Sequence, residues 1–228
     1  WRELHDLLIT PIRALLPHAP AALLTIVPHG PLTALPFAGL QDAKGRYLLE
    51  DYTLHYAPGG AVLQFTAAMR HADARQGRLL LVSDPVPPTL SSLDRPLPRL
   101  PGARAESRAI GSLIPRPRVT ALEDVAAGEG AVRAAAAGKS VLHFATHAVV
   151  RDDDPFSSFL AVGKTGADDG LLTAREIYGL RLDADLVVLS ACRSGSGRVI
   201  GDGIATFARA FIYAGAPSIV ASLWDVAD

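Results

Sequence analysis

The strongest restriction on the fold is a series of short, almost uninterrupted apolar segments separated by amphipathic ones. Apolar runs of this kind are typical of strands that are buried on both faces of a parallel sheet. The predicted strands are residues 22–27, 79–83, 141–146, 186–190 and 218–223. We expect these five strands to form one central sheet.

The segments between the strands have apolar residues at three- and four-residue spacing and contain many good helix formers. The predicted helices are residues 60–70, 103–114, 124–137, 173–180 and 202–214. Alternating strands and helices indicate an α/β fold, with helices covering a mainly parallel central sheet. Residues 85–102, which are dense in proline, and residues 151–170, which are rich in aspartate and glycine, are predicted to be exposed loops.

The composition predicts a globular chain. Its 228 residues are 49% hydrophobic and 20% charged, which is enough for one domain over residues 1–228. We expect an N-terminal lobe at about 1–75 and a larger lobe at 76–228. With 22 basic and 23 acidic residues, the chain has no general field for nucleic acid or anionic membranes, so neither is an expected partner. No apolar run approaches the roughly 20 residues of a membrane span. The start at Trp1, without a leader peptide, suggests a piece of a longer polypeptide.

Cys192 is the only cysteine in the sequence. A single cysteine excludes an intrachain disulfide and a multi-cysteine zinc site, and it favours a reducing compartment. We therefore expect a cytoplasmic protein that needs neither a metal nor another cofactor.

Two predicted strands end in residues that can perform peptide-bond chemistry. One leads directly to His147 and the other to Cys192. Because the carboxyl ends of parallel strands meet at one edge of the sheet, these side chains are expected to converge. A nearby imidazole can favour the cysteine thiolate and later protonate the departing amine. The sequence therefore predicts a Cys192–His147 dyad, with the Cys192 amide placed to stabilise an oxyanion.

Several sequence blocks carry a resemblance to a known family. They are HFATH at 143–147, LSACRSG at 189–195, GDG at 201–203, AGAPSIVASLW at 214–224, PHGPLTALPFAGL at 28–40 and YLLEDYTLHYAP at 47–58. Together they resemble the CHAT domain family, caspase-like proteases usually found beside tetratricopeptide repeats. The histidine also precedes the cysteine by 45 residues, close to the offset of about 50 noted for caspases.

The resemblance implies a caspase/separase-type fold and a cysteine endopeptidase that works through an acyl-enzyme. It also implies regulation by an attached tetratricopeptide-repeat or other sensor domain. Some family members act in bacterial antiviral defence by cutting a dedicated protein substrate, such as a gasdermin-like pore former.

Two positions depart from the family pattern. Ala148 stands where the family usually has glycine, whose backbone amide helps to form the oxyanion hole, and Arg193 follows the cysteine where the family often has an acidic or polar residue. If the Ala148 site required a positive φ, alanine would be costly there. This departure keeps open the alternative of an inactive pseudo-protease that acts as a scaffold.

Acidic residues near the carboxyl edge of the sheet predict a pocket for a basic substrate side chain before the cut bond. The candidates are Asp152, Asp153, Asp154, Asp202, Asp225 and Asp228. A rival reading is nucleotide binding by glycines 195, 197 and 201 after a strand, although a glycine pattern of that loose form is a weak signal.

Overall fold

The computed structural model describes residues 1–69, 77–90, 96–151, 153–191 and 202–222, with the side chains of 202–204 excepted. The helices are α1 (Arg2–Leu8), α2 (Leu48–Asp51), α3 (Gly60–Met69), α4 (Pro101–Ser112), α5 (Glu129–Ala136), α6 (Ala174–Tyr178) and α7 (Asp202–Ala214). The strands are β1 (Ala22–Ile26), β2 (Tyr52–Tyr56), β3 (Leu79–Pro85), β4 (Val119–Asp124), β5 (Val141–Ala145), β6 (Ala148–Val149), β7 (Phe159–Ala161), β8 (Leu171–Thr173), β9 (Leu186–Leu189) and β10 (Ile219–Ala221). None of the helices in these ranges is long and apolar enough to cross a membrane.

The central sheet has five parallel strands in the order β10-β9-β5-β3-β4. Helices flank it, so the predicted α/β class with a mainly parallel sheet is confirmed. Four of the five predicted strands belong to this sheet. Every second residue of these strands faces one large core, in which Phe144 of β5 meets Phe211 of α7 with ring centroids 5.8 Å apart. Helix α4 packs against β3, β4 and β5.

The first predicted strand does not join the central sheet. Strand β1 instead pairs in parallel with β2 in a separate two-stranded sheet. The fifth central strand is β4, and sequence analysis missed it. An edge strand keeps one side partly in solvent, and β4 accordingly lacks a continuous apolar run, which was the signal used to find strands.

The predicted exposed loop at 151–170 is partly wrong. It contains β7, whose residues Phe159, Leu160 and Ala161 are all fully buried. Strand β7 lies between β6 and β8 in a three-stranded antiparallel sheet. The four apolar residues 159–162, between two serines and a glycine, are too few for periodicity to reveal a strand.

The chain forms two compact units, Trp1–Leu63 and Gln64–Asp228. The first has a small core of its own around Phe37, Leu40 and Leu48. The second contains the central sheet. The lobe boundary predicted at residue 75 falls within 70–76, outside the described residues.

Candidate active site

The two strands that lead to the predicted dyad are direct neighbours. Strands β5 and β9 pair in parallel, with Phe144 opposite Leu189. His147 is the third residue after Phe144, and Cys192 is the third residue after Leu189 in the sequence. Cys192 itself lies outside the described residues.

His147 is buried, with 5% of its surface exposed, and its Nε2 lies 2.7 Å from the backbone oxygen of Pro98. A carbonyl oxygen only accepts hydrogen bonds, so Nε2 must carry the proton and donate it. In the neutral ring Nδ1 is then the basic nitrogen. The His147 carbonyl accepts a hydrogen bond of 2.8 Å from the amide of Ala161 in β7, which holds the backbone of the histidine.

Ala148 has no need of glycine's conformational freedom. It begins β6 opposite Leu160, and the non-glycine residues of the described chain with positive φ are Ala21, Asp84 and Asp124. Alanine at this position therefore does not incur the cost of a positive φ.

The residues that follow Pro98 in the chain bind the buried carboxylate of Asp84, at the end of β3. These bonds hold the Pro98 carbonyl in place. Arg99 donates from Nε to Oδ1 and from Nη2 to Oδ2, both at 2.9 Å. The amide of Leu100 donates to Oδ1 at 2.7 Å. Arg104 Nε, in α4, completes the set at 2.5 Å from Oδ2. The loop before α4 is therefore anchored directly after its contact with the histidine.

Charge around Asp84 is balanced. Burial alone would raise the pKa of Asp84, but the hydrogen bonds from Arg99, Leu100 and Arg104 outweigh it and lower the pKa to about 2. Asp124, at the end of β4, lies 2.9 Å from Arg99 Nη2. Two carboxylates thus face two guanidinium groups, and both aspartates have positive φ, of 40° and 56°.

Sequence analysis missed this anchoring group. Asp84 follows the apolar run of β3, the same signal that singled out His147 and Cys192, whereas Asp124 ends β4, which has no such run. The sequence pattern predicted neither strand β4 nor the path of the proline-rich loop, which returns Pro98 to the edge of the sheet.

The other predicted site residues are only partly described. Asp154 is exposed and accepts a hydrogen bond from the Ser157 hydroxyl within a 3₁₀ turn, and Asp153 is also exposed. Asp202 begins α7, but its side chain lies outside the described set. Asp152, Asp225, Asp228, Arg193 and the glycines at 195–201 also lie outside it.

A mostly parallel sheet between helices, with a buried histidine at the end of one central strand, is consistent with a caspase-like fold. The chain belongs to the CHAT domain family, whose model matches residues 1–228. The family is caspase-like and protease-related, and the resemblance noted in the sequence is confirmed.

Two curated relatives are named tetratricopeptide repeat protein 28, one from Mus musculus and one from Homo sapiens. Each is 28% identical to the chain over 272 aligned residues, covering 99% of this chain. The chain spans 11% of the length of these relatives.

Proposed function

We propose that this chain is a cysteine endopeptidase in which Cys192 attacks the peptide carbonyl and His147 is the acid/base partner. The observation that carries the proposal is the parallel pairing of β5 and β9. Both residues are the third after a paired position on these adjacent strands. The buried setting of His147 and its bond to Pro98 support the role of the histidine.

In the proposed reaction the Cys192 sulfur, as thiolate, bonds to the carbonyl carbon of the substrate. The resulting oxyanion is stabilised by the backbone amides of Cys192 and Ala148. The protonated His147 ring gives its proton to the leaving nitrogen, the C–N bond breaks, and a thioester remains on the enzyme. Nδ1 of His147 then takes a proton from water as the water oxygen attacks the thioester. The C–S bond breaks and releases the carboxylic acid, which leaves the Cys192 thiolate beside the protonated His147 ring.

We further propose that the residue before the cut bond is basic. The acidic candidates predicted from the sequence support this choice, as does the state of Arg99. Its guanidinium is already bound by Asp84 and Asp124, so it is poorly placed to bind an acidic substrate side chain.

The names of the relatives support the proposal that a tetratricopeptide-repeat or other sensor segment controls the domain. We propose a cytoplasmic enzyme that cuts one specific protein, such as a gasdermin-like pore former in bacterial antiviral defence. The reducing conditions favoured by a lone cysteine agree with this setting.

Mass-spectrometric labelling tests the chemistry. The protein in its native polypeptide is treated with a peptidyl-Arg acyloxymethyl ketone or with its peptidyl-Asp analogue. We expect the Arg probe alone to add to Cys192. Labelling should be lost in Cys192→Ala and slowed about 100-fold or more in His147→Ala, the usual scale of acid/base assistance.

His55→Ala is the matched control, because His55 is an exposed histidine of β2. Labelling by the Asp probe would contradict the basic preference while leaving the dyad intact. No labelling by either probe, with candidate activating partners present, would instead favour the scaffold alternative.

A further inference from the structure

A second group of polar residues links α4 to both strands of the predicted dyad. Glu106 of α4 accepts a hydrogen bond of 2.9 Å from the Ser190 hydroxyl at its Oε2. Its other oxygen, Oε1, lies 3.3 Å from Nε2 of His143 in β5. One carboxylate thus contacts β5 and the residue that directly follows β9.

His143 is an unusual residue for its location. It is 5% exposed in the middle of a central strand, and within the described residues its Nε2 has no well-aligned hydrogen bond. The contact with Glu106 is an ion-pair distance rather than an aligned hydrogen bond. Burial lowers the pKa of His143, and the neighbouring Glu106 opposes this shift. Burial of an imidazole nitrogen without a well-aligned hydrogen bond costs free energy.

The same short segment also holds the catalytic histidine. Pro98 binds His147, and Glu106 begins the second turn of the helix that follows. Between them, Leu100 and Arg104 bind Asp84 at the end of β3. The 98–106 segment therefore contacts the end of β3, the end of β5 and the residue after β9.

We propose that Glu106 is a positioning residue for the nucleophile, because it holds Ser190, two residues before Cys192, at a fixed place relative to the segment that holds His147. The inference rests on the proposed role of Cys192. Ser190 lies beyond the last paired residue of β9, so its backbone is not held by the sheet ladder described for that strand. The side-chain bond to Glu106 supplies a restraint where the strand pairing ends.

Positioning of this kind acts on the reaction rather than on the fold. The Ser190–Glu106 bond is exposed and adds little to stability. A small displacement of a nucleophile from its acid/base partner, in contrast, lowers the rate by one to two orders of magnitude. We therefore expect Glu106→Ala and Ser190→Ala each to lower kcat about tenfold with KM nearly unchanged.

The test uses two readouts on the protein in its native polypeptide. The first is kcat and KM on a peptidyl-Arg substrate. The second is the rate of alkylation of Cys192 by iodoacetamide between pH 5 and 9, followed by intact mass, which is unambiguous because the sequence contains one cysteine. In Glu106→Ala we expect alkylation near pH 6.5 to slow about tenfold, as the thiol moves toward the behaviour of a free cysteine with a pKa of about 8.5.

Three comparisons separate positioning from general damage. Glu106→Gln keeps an oxygen that accepts from Ser190, so it should retain most of the activity. The Glu106→Ala/Ser190→Ala double variant should be no slower than Glu106→Ala alone, because that single change already removes the contact with Ser190. Arg108→Gln, on the same helix as Glu106, is the matched control. It breaks only an ion pair of 3.5 Å between the exposed Arg108 and Glu123 of β4.

An alkylation profile of Glu106→Ala identical to that of the parent would overturn the inference, whether or not the protein cleaves peptides. Multiplying losses in the double variant would overturn it too. If the parent cleaves no peptide but Glu106→Ala still changes the profile, the proposed function fails while the positioning of Cys192 by Glu106 stands.

Discussion

Replacement of Asp84 by asparagine should destabilise the fold by about 2.5 kcal/mol. Asp84 is 3% exposed and receives three hydrogen bonds from the side chains of Arg99 and Arg104 and one from the Leu100 amide. Asparagine is nearly the same size and tolerates the positive φ of 40° at this position. The substitution therefore removes the charge without straining the backbone.

The magnitude follows from the pKa. The pKa of Asp84 falls from 3.8 to about 2 on folding, and this difference corresponds to about 2.4 kcal/mol at neutral pH. Breaking a fully buried ion pair costs about 3–5 kcal/mol. The side chains of Arg99 and Arg104 are 43% and 31% exposed, so water rehydrates them and the cost should lie at the low end.

The sign of the pH dependence follows from the same shift. The pKa of Asp84 is lower in the folded state, so its stabilisation is fully present above the unfolded value near 4 and is lost as the pH falls toward 2. Urea unfolding should therefore show a constant difference between the parent and Asp84→Asn from pH 7 to 5, and a shrinking one below pH 4.

Glu123→Gln provides the control, because its partner Arg108 is mostly exposed and the pair should be worth less than about 1 kcal/mol. A loss below about 0.5 kcal/mol in Asp84→Asn at pH 7, comparable with a surface substitution, would refute the reasoning. So would a difference that persists unchanged at pH 3.

Two further predictions concern other parts of the described chain. Burial, and after it the repulsion of Glu176, raises the pKa of Glu129. The parent should therefore gain stability relative to Glu129→Gln as the pH falls from 7 toward the ordinary pKa of 4.5. Urea unfolding of both proteins at each pH measures this difference. Gly215 has a φ of +115°, and a Cβ there would lie 2.2 Å from the Leu182 carbonyl oxygen, so Gly215→Ala should cost about 3 kcal/mol or more. At Gly39 an added Cβ would have no atom within 4 Å, so Gly39→Ala should be nearly neutral. Thermal melts of the two variants test this, and equal melting temperatures would contradict the steric argument.

The apolar runs were sufficient to predict the central part of the fold. Strands buried on both faces leave continuous hydrophobic segments, and four of the five predicted strands occupy the central sheet. The same rule failed for β1, because a continuous run indicates burial but not the partner that provides it. It also failed for β4, whose edge position leaves one side partly in solvent.

For the site, the sequence by itself determined the candidates: a strand that leads to His147, a strand that leads to the lone Cys192, and the motifs of the CHAT domain family. These depend on local order along the chain, which a sequence contains directly. Only the tertiary structure decided that β5 and β9 are neighbours, that Pro98 orients His147, and that Glu106 joins Ser190 to His143. Those contacts connect residues 37 to 84 positions apart. The pairing of the strands and the packing of α4 against them, not the spacing in the sequence, bring these residues together.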